Sequence, residues 1–233
     1  MNTLHTKVLT ALKQESGAVN RAQATDSYTG SPHYFYAVPV PRRRKIIKAV
    51  MKDTEATELL ALCEALFAGR SHEEKTMGAM VLTYRPAVRT LVEFLVLDRW
   101  LGELIGWAEV DALCYNTFTD TEFLADFRSW KRFICALAQD SNVNKRRAAL
   151  VFLTHPTSRS QDERIHALAF ALIRQLAPEK DVLITKAISW LLRCQIDTNK
   201  AAVADFIVKQ QTTLPKIALR ETKYKLVTGK KNK

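Results

Sequence analysis

Apolar residues recur at helical spacing along nearly the whole chain, and no segment alternates apolar and polar positions with the period of two that marks a strand. The clearest helical segment is 54–69 (TEATELLALCEALFAG), and Gly69 is its expected C-cap. The pattern therefore predicts an all-α protein. Three capping boxes predict helix starts near residues 72, 120 and 161: Ser71 with Glu74, Thr119 with Glu122, and Ser160 with Glu163.

The remaining apolar segments are separated by prolines. Pro41 suits the first turn of a helix through residues 42–51, because the N–H that proline lacks has no partner there in any helix. Other helices are predicted within residues 8–13, 88–100, 123–139, 164–176 and 201–210. Breaks are expected at Arg85-Pro86, His155-Pro156, Ala177-Pro178 and Leu214-Pro215.

Four stretches align on one another at a helical-repeat period: residues 73–84, 106–117, 142–153 and 183–194. Each carries a variable residue followed by a small one, and the variable positions 77, 111, 147 and 186 are 34, 36 and 39 residues apart. Periods of about 40 residues are typical of HEAT-type repeats with two helices each. We therefore predict one domain over residues 1–233, a curved HEAT-like solenoid of about five to six helical pairs, with a frayed basic tail from residue 224.

The variable column also carries chemistry. Equivalent positions of stacked repeats line one face, so we expect Asp111, Arg147 and Lys186 in a row on the concave wall. Trp107 comes one helical turn before Asp111, and Trp190 comes one turn after Lys186, so both indoles can share that face. A groove with a carboxylate, cations and two large aromatic rings indicates a site.

The charge favours an anionic partner. Thirty-five Lys and Arg against 24 Asp and Glu give a net charge of +11 and a pI near 9.6, which favours nucleic acid or an acidic membrane surface over general solubility alone. No apolar run reaches the roughly 18 residues of a membrane span, and residues 1–16 lack the apolar core of a signal peptide. We expect a cytoplasmic monomer that binds no membrane.

Metal and cofactor motifs are absent from the sequence. The five histidines are scattered, the four cysteines are far apart and indicate reduced thiols, and no phosphate-binding glycine loop or serine elbow occurs. An enzyme built on this chain would therefore work without a metal or cofactor, through a carboxylate, aromatic rings and cations.

Motifs spread over nearly the whole chain resemble those of one family. They are Tyr28 followed by residues 35–38, Pro41 and Arg42 to Arg44; the Trp-x-x-Val-Asp segment from Trp107 to Asp111; Arg147-Ala148-Ala149; and the segment from Lys186 to Arg193, KAISWLLR. In this order and spacing they resemble the DNA alkylation repair family of HEAT-repeat glycosylases, the AlkD type. The chain departs from the family pattern at 29–34, Ala37 and 114–116, and these departures bear on lesion preference.

The resemblance implies a function. Family members hydrolyse the N-glycosidic bond of bulky or cationic N3- and N7-alkylated purines in duplex DNA, without a lyase lysine or a cofactor. They grip the DNA backbone and do not bury the base in a pocket. Asp111 would be the catalytic carboxylate, Trp107 and Trp190 would flank the deoxyribose, and Arg147 would position a phosphate. The expected DNA-binding residues are Tyr28, Arg42, Arg43, Arg44, Lys145, Arg146, Lys186 and Arg193.

Structural interpretations compete with these roles. A tryptophan on a repeat helix is more often a core residue, and we assign Trp100 and Trp130 to packing. Arg147 could pair with Asp111 as an inter-repeat ion pair. A non-catalytic DNA-structure binder on the same scaffold, or a protein-binding HEAT scaffold, remains the alternative function. The sequence does not decide which alkyl adducts would be accepted.

Overall fold

The computed structural model describes residues 2–17, 28–115 and 117–231. Within these ranges the chain forms fourteen α-helices and no strand, and one isolated β-bridge joins Tyr34 to Ser71. The all-α prediction is confirmed. The helices are α1 (Thr3–Gly17), α2 (Val40–Met51), α3 (Ala56–Phe67), α4 (His72–Tyr84), α5 (Pro86–Arg89), α6 (Phe94–Gly102), α7 (Trp107–Cys114), α8 (Asp120–Ala125), α9 (Phe127–Leu137), α10 (Val143–Val151), α11 (Thr154–Arg159), α12 (Glu163–Leu176), α13 (Val182–Lys209) and α14 (Lys216–Thr228). The predictions that concern Asn116 and the last two residues lie outside the described ranges.

Two of the three predicted capping boxes are confirmed. Both Ser71 with Glu74 and Thr119 with Glu122 show the reciprocal hydrogen bonds of the motif. The third box was wrong, because Asp162 caps α12 and accepts from the backbone N–H of Arg164 at 2.9 Å. An aspartate one residue before the helix meets the N-terminal N–H groups directly, so the helix begins at 163 and not at 161.

Two segments that were predicted as single helices each contain parts of two helices. The segment 88–100 divides into α5 and α6, and the segment 123–139 divides at Asp126, whose side chain caps α9 by accepting from Ser129 N. The break predicted at His155-Pro156 was also wrong. Pro156 lies in the first turn of α11, where proline is tolerated, and α10 ends earlier, at Val151.

The four aligned stretches correspond to α4, α7, α10 and α13, so the repeat period spans three helices, and the predicted two helices per repeat were wrong. A Cβ placed on Gly78 would lie 3.0 Å from the Phe67 ring, which explains the small residue after the variable column in α4. Ala148 and Ala187, at the equivalent positions of α10 and α13, are fully buried. The sequence repeat is therefore a repeat of helix packing.

The chain forms two compact units, Met1–Leu113 and Cys114–Lys233. In the first, α3 packs on α4 and α5, while α1 and α2 pack on this group. Phe67 stacks on Trp100 with ring centroids 4.6 Å apart, and the Trp100 indole N–H donates to Glu64 Oε2 at 2.9 Å. Trp100 is 1% exposed, so its assignment to packing is confirmed.

In the second unit, α13 packs against α10, α11, α12 and α14. It contains a kink at Asn199, so the helix predicted for 201–210 is its second half. Trp130 stacks on Phe123 at 5.3 Å and is nearly buried, which confirms its assignment to packing. α14 ends at Thr228 with Gly229 in the left-handed conformation of a C-terminal cap, so the helix includes the first residues of the predicted basic tail.

Candidate functional site

Tyr28 and Trp107, 79 residues apart in the sequence, lie together in the first unit. The Trp107 indole N–H donates to the Tyr28 carbonyl oxygen at 2.6 Å, and the two rings meet edge to face with centroids 5.3 Å apart. Tyr28 is 76% exposed and Trp107 is partly exposed, so the surface they form is open to solvent.

A close backbone approach makes this contact possible. Gly106, directly before Trp107, has φ of +82°, and a Cβ there would lie 2.4 Å from the Thr29 carbonyl oxygen. Gly30 also has a positive φ, +71°. Only glycine lets the turn at 28–30 pass this close to the start of α7.

Asp111 follows Trp107 by one turn of α7, so the two side chains share a face of the helix. Its neighbours Val110 and Leu113 are fully buried. Asp111 itself is half-buried. A carboxylate and an indole are thus presented side by side at the surface of the first unit.

Glu109 is a buried carboxylate that the sequence analysis did not single out. It accepts hydrogen bonds from Ser31 Oγ at 2.6 Å and from the Ile105 backbone N–H at 3.0 Å. His33 Nδ1 lies 3.0 Å from its two oxygens, and His72 Nδ1 lies 3.2 Å from Oε1. Burial raises the pKa of Glu109, but these hydrogen bonds outweigh it and lower the pKa to about 2.

One sequence signal could have found Glu109. Glu109 and Asp111 are two positions apart on one helix, which turns them to different faces. If Asp111 faces the surface, Glu109 faces inward and needs buried donors. Those donors could not be identified from spacing, since His33 and His72 lie 76 and 37 residues before it.

Arg147 lies in α10 of the second unit and is 4% exposed. Its Nη1 donates to the Leu183 carbonyl oxygen at 2.6 Å, which joins α10 to the first turn of α13. Lys186, one turn further along α13, is exposed. The packing of α10 on α13 therefore brings two members of the predicted column onto neighbouring helices, one buried and one at the surface.

Arg146 and Lys145 have acidic partners within the unit. Arg146 binds Glu179 through two nitrogens, at 2.8 and 3.0 Å, and also donates to the carbonyl oxygen of Asp140. Its pKa is raised, mainly by the hydrogen bond with Glu179. Lys145 Nζ lies 3.4 Å from Asp140 Oδ2. These ion pairs connect the first turn of α10 to Asp140 before it and to Glu179 before α13.

Trp190, in α13, belongs to an aromatic cluster with Tyr115 and His155. The Tyr115 and Trp190 ring centroids are 4.9 Å apart with planes tilted by 48°, and the His155 ring is 6.4 Å from that of Tyr115. Tyr115 is exposed and Trp190 is partly exposed. Burial and the nearby Arg159 lower the pKa of His155, which favours its neutral form. The cluster presents apolar ring surface to solvent.

Arg193 is mostly buried between α13 and α14. Its Nη1 donates to Ser189 Oγ at 2.5 Å and also to Glu221 of α14. Burial lowers the pKa of Arg193. Its ion pair with Glu221 joins α13 to α14.

The three arginines at the start of α2 have different environments. Arg43 is buried and donates to Thr76 Oγ1 at 2.6 Å, Arg42 pairs with Glu15, and Arg44 is exposed. The predicted position of Pro41 in the first turn of α2 is confirmed.

The structure thus brings the predicted residues together in two groups. Tyr28, Trp107 and Asp111 belong to the first unit. Arg147, Lys186 and Trp190 belong to the second, on the packed helices α10 and α13. A single row through both groups stays a prediction.

Metal-ligating clusters and membrane-spanning helices are both absent from residues 2–17, 28–115 and 117–231. No group of three or more His, Cys, Asp or Glu side chains there could hold a metal ion. None of the helices in those ranges is both long enough and apolar enough to cross a membrane.

Comparison with known proteins identifies a family. The profile of the DNA alkylation repair enzyme family matches residues 8–226. The fold is similar to that of a predicted DNA alkylation repair enzyme from Enterococcus faecalis, with a TM-score of 0.72 and 17% identity over 92% of this chain and 96% of that one. No curated protein sequence matches significantly. At this identity the structural similarity shows the fold alone, and it confirms the predicted helical-repeat architecture.

Proposed function

The chain belongs to the DNA alkylation repair enzyme family, and we propose that it is a monofunctional DNA glycosylase. Its substrate is duplex DNA that carries a cationic N3- or N7-alkylated purine. Hydrolysis of the N-glycosidic bond releases the alkylated base and leaves an abasic site. The protein acts as a monomer on the nucleoid, without a metal or cofactor.

The leaving group of this reaction needs little assistance from the protein. An N3- or N7-alkylated purine already carries positive charge, so it departs with the electron pair of the C1′–N bond and becomes neutral. Protonation by a general acid is not needed. The positive charge moves onto the sugar, and water then adds its oxygen to C1′ and loses a proton. A fixed negative charge near C1′ lowers the barrier because it stabilises the sugar cation.

Each side chain has a role in this reaction. Asp111 supplies the negative charge and orients the attacking water. Trp107 and Trp190 contact the sugar through their electron-rich faces, which favour a ring that is becoming cationic. Arg147 binds a phosphate next to the lesion, which requires its side chain to move when DNA binds, because in the free protein it is 4% exposed and donates to the Leu183 carbonyl oxygen. Tyr28 adds to the surface beside Trp107.

One observation carries the proposal. On α7 the carboxylate of Asp111 and the indole of Trp107 share one face, and Tyr28 lies against that indole at the surface. An aromatic surface beside a partly exposed carboxylate fits a sugar that develops positive charge. It fits a protein-binding scaffold less well, because charged residues are depleted from the centre of protein–protein interfaces.

The basic residues divide by their environment. Arg44 and Lys186 are exposed and can reach phosphate oxygens. Arg43, Arg146 and Arg193 are tied to Thr76, Glu179 and Glu221, which supports a structural contribution from these three in the free protein. We therefore propose that the exposed cations provide most of the salt-dependent affinity for DNA.

The direct test is base release. Purified protein is incubated with a duplex that contains N7-methylguanine, and free 7-methylguanine is measured against an unmethylated duplex. Release by the wild type and its loss in Asp111→Asn support the glycosylase. A methylated duplex that is bound but left intact identifies a non-catalytic DNA binder. Absence of both binding and release favours a protein-binding scaffold.

A further inference from the structure

The carboxylate of Glu109 is surrounded by hydrogen-bond donors. An ionised carboxylate only accepts hydrogen bonds, so Ser31 and the Ile105 backbone both donate to it. The ring nitrogens of His33 and His72 that face Glu109 are both Nδ1, and each must carry a hydrogen to bond with it. Four donors thus bond to one buried carboxylate.

These donors belong to three segments of the first unit. Ser31 and His33 lie in the segment 28–38, His72 is the first residue of α4, and Ile105 precedes α7. The hydrogen bonds of Glu109 therefore connect the first part of the segment 28–38 to α4 and to the start of α7.

A second glutamate holds the other end of the same segment. Glu73 accepts from the backbone N–H groups of Tyr36 at 3.0 Å and Val38 at 3.2 Å. The bridge between Tyr34 and Ser71 adds backbone hydrogen bonds. In this segment Glu109 bonds Ser31 and His33, near Tyr28, while Glu73 bonds the backbone at residues 36 and 38.

Tyr28 in turn restrains Trp107. Its carbonyl accepts the indole N–H, and its ring packs against the indole edge. Resting on the proposed function, we propose that Glu109 is a positioning residue that sets the orientation of Trp107 toward the deoxyribose through Ser31, His33 and Tyr28. Glu109 is fully buried, so it acts on the substrate only through these neighbours.

The test compares Glu109→Gln with Glu93→Gln, the same substitution at an exposed glutamate of the same unit. Release of 7-methylguanine is measured in single turnover at saturating enzyme. We expect a rate constant about 10- to 100-fold lower in Glu109→Gln, with half-saturation within about twofold of wild type and Glu93→Gln unchanged. A smaller fraction of folded protein alone would raise the apparent half-saturation in total protein and leave the rate constant at saturation unaltered.

A second readout does not depend on catalysis. Protein is labelled with 5-fluorotryptophan, and the fluorine resonance of residue 107 is assigned by its loss in Trp107→Phe. We expect Glu109→Gln to shift or broaden this resonance while those of Trp100 and Trp130 stay in place. An unmoved resonance together with a wild-type rate constant would overturn the positioning role.

Ser31→Ala is the milder variant, in case Glu109→Gln does not fold. It removes one of the four donors and should move the Trp107 resonance in the same direction by a smaller amount. If Ser31→Ala leaves the resonance and the rate constant unchanged, the proposal fails. If the wild type releases no base but the resonance responds as expected, the proposed reaction fails and the restraint on Trp107 stands.

Discussion

The ring of Tyr115 lies against the indole of Trp190, with centroids 4.9 Å apart and planes tilted by 48°. Aromatic pairs of this kind contribute about 0.5–1.5 kcal/mol beyond the area they bury. If Tyr115 holds Trp190 in place, Tyr115→Ala should slow single-turnover base release by about two- to tenfold. Tyr115→Phe keeps the ring and should stay near wild type. Equal rates for wild type and Tyr115→Ala would show that α13 alone orients Trp190.

Asp111→Asn should strongly reduce base release and leave DNA affinity intact or slightly higher. The amide keeps the shape of the side chain but lacks the charge that stabilises the sugar cation. Electrostatic groups of this kind contribute roughly 2.7–4 kcal/mol, or about 100- to 1,000-fold in rate. The measurement is single-turnover release of 7-methylguanine at saturating enzyme.

The matched control is Asp205→Asn, which removes the same charge from an exposed aspartate paired with Lys209. It should release base at the wild-type rate. An Asp111→Asn variant as fast as the control would remove Asp111 from catalysis and leave it a structural role.

DNA binding should depend steeply on salt and weakly on sequence. Release of counterions from about five phosphates gives a log–log slope of roughly −4 to −5. Lys186→Ala removes an exposed cation and should make the slope shallower by about one. Arg146→Ala should change the slope less and lower stability more, since Arg146 is paired with Glu179. A wild-type slope near zero, in a titration from low to moderate salt, would argue against phosphate contacts.

Glu109 should make the stability of the fold depend on pH. Its pKa is near 2 in the folded protein and near 4.5 as an ordinary glutamate, because the four hydrogen bonds favour the ionised form. The folded pKa is the lower one, so this contribution is fully present above about pH 4.5 and is lost as the pH falls toward 2. Its size is on the order of 3 kcal/mol.

Urea unfolding between pH 7 and pH 3 checks this dependence. The free energy of unfolding of the wild type should exceed that of Glu109→Gln at pH 7, and the difference should shrink below pH 4.5. Glu93→Gln should differ little from the wild type throughout. A difference that does not vary with pH would show that Glu109 does not titrate as a stabilised carboxylate.

The sequence predicted most of the helices because they depend on local spacing, and it predicted the repeat because a small residue recurs in the same pattern every 34 to 39 positions. Trp107 and Asp111 could be placed on one face for the same reason, since they are one turn apart on α7. The contact between Tyr28 and Trp107 depends on the close backbone approach at Gly106, which no local pattern reports.

Residues that pair across long separations were the ones missed. Glu109 finds its donors at residues 31, 33, 72 and 105, and only the last of these is near it in the sequence. Arginine is the residue type expected to bind DNA, but Arg146 and Arg193 pair instead with Glu179 and Glu221. Those partners are 33 and 28 residues away, and the hydrophobic pattern of the sequence does not predict such contacts.

Replacing Ala37 with glycine should stabilise the folded protein. Its φ of +58° lies in the left-handed region, which costs a residue with a Cβ about 1–2 kcal/mol, and the pattern that this chain resembles has glycine at this position. Glycine also loses more backbone freedom on folding, by roughly 0.4–1 kcal/mol, so Ala37→Gly should stabilise the protein by about 0.5–1 kcal/mol. Ala201→Gly, at an exposed helical position of α13, should instead destabilise it by a similar amount. In urea unfolding the two midpoints should move in opposite directions with the same dependence on denaturant. A lower midpoint for Ala37→Gly would mean that residue 37 does not hold the left-handed conformation in solution.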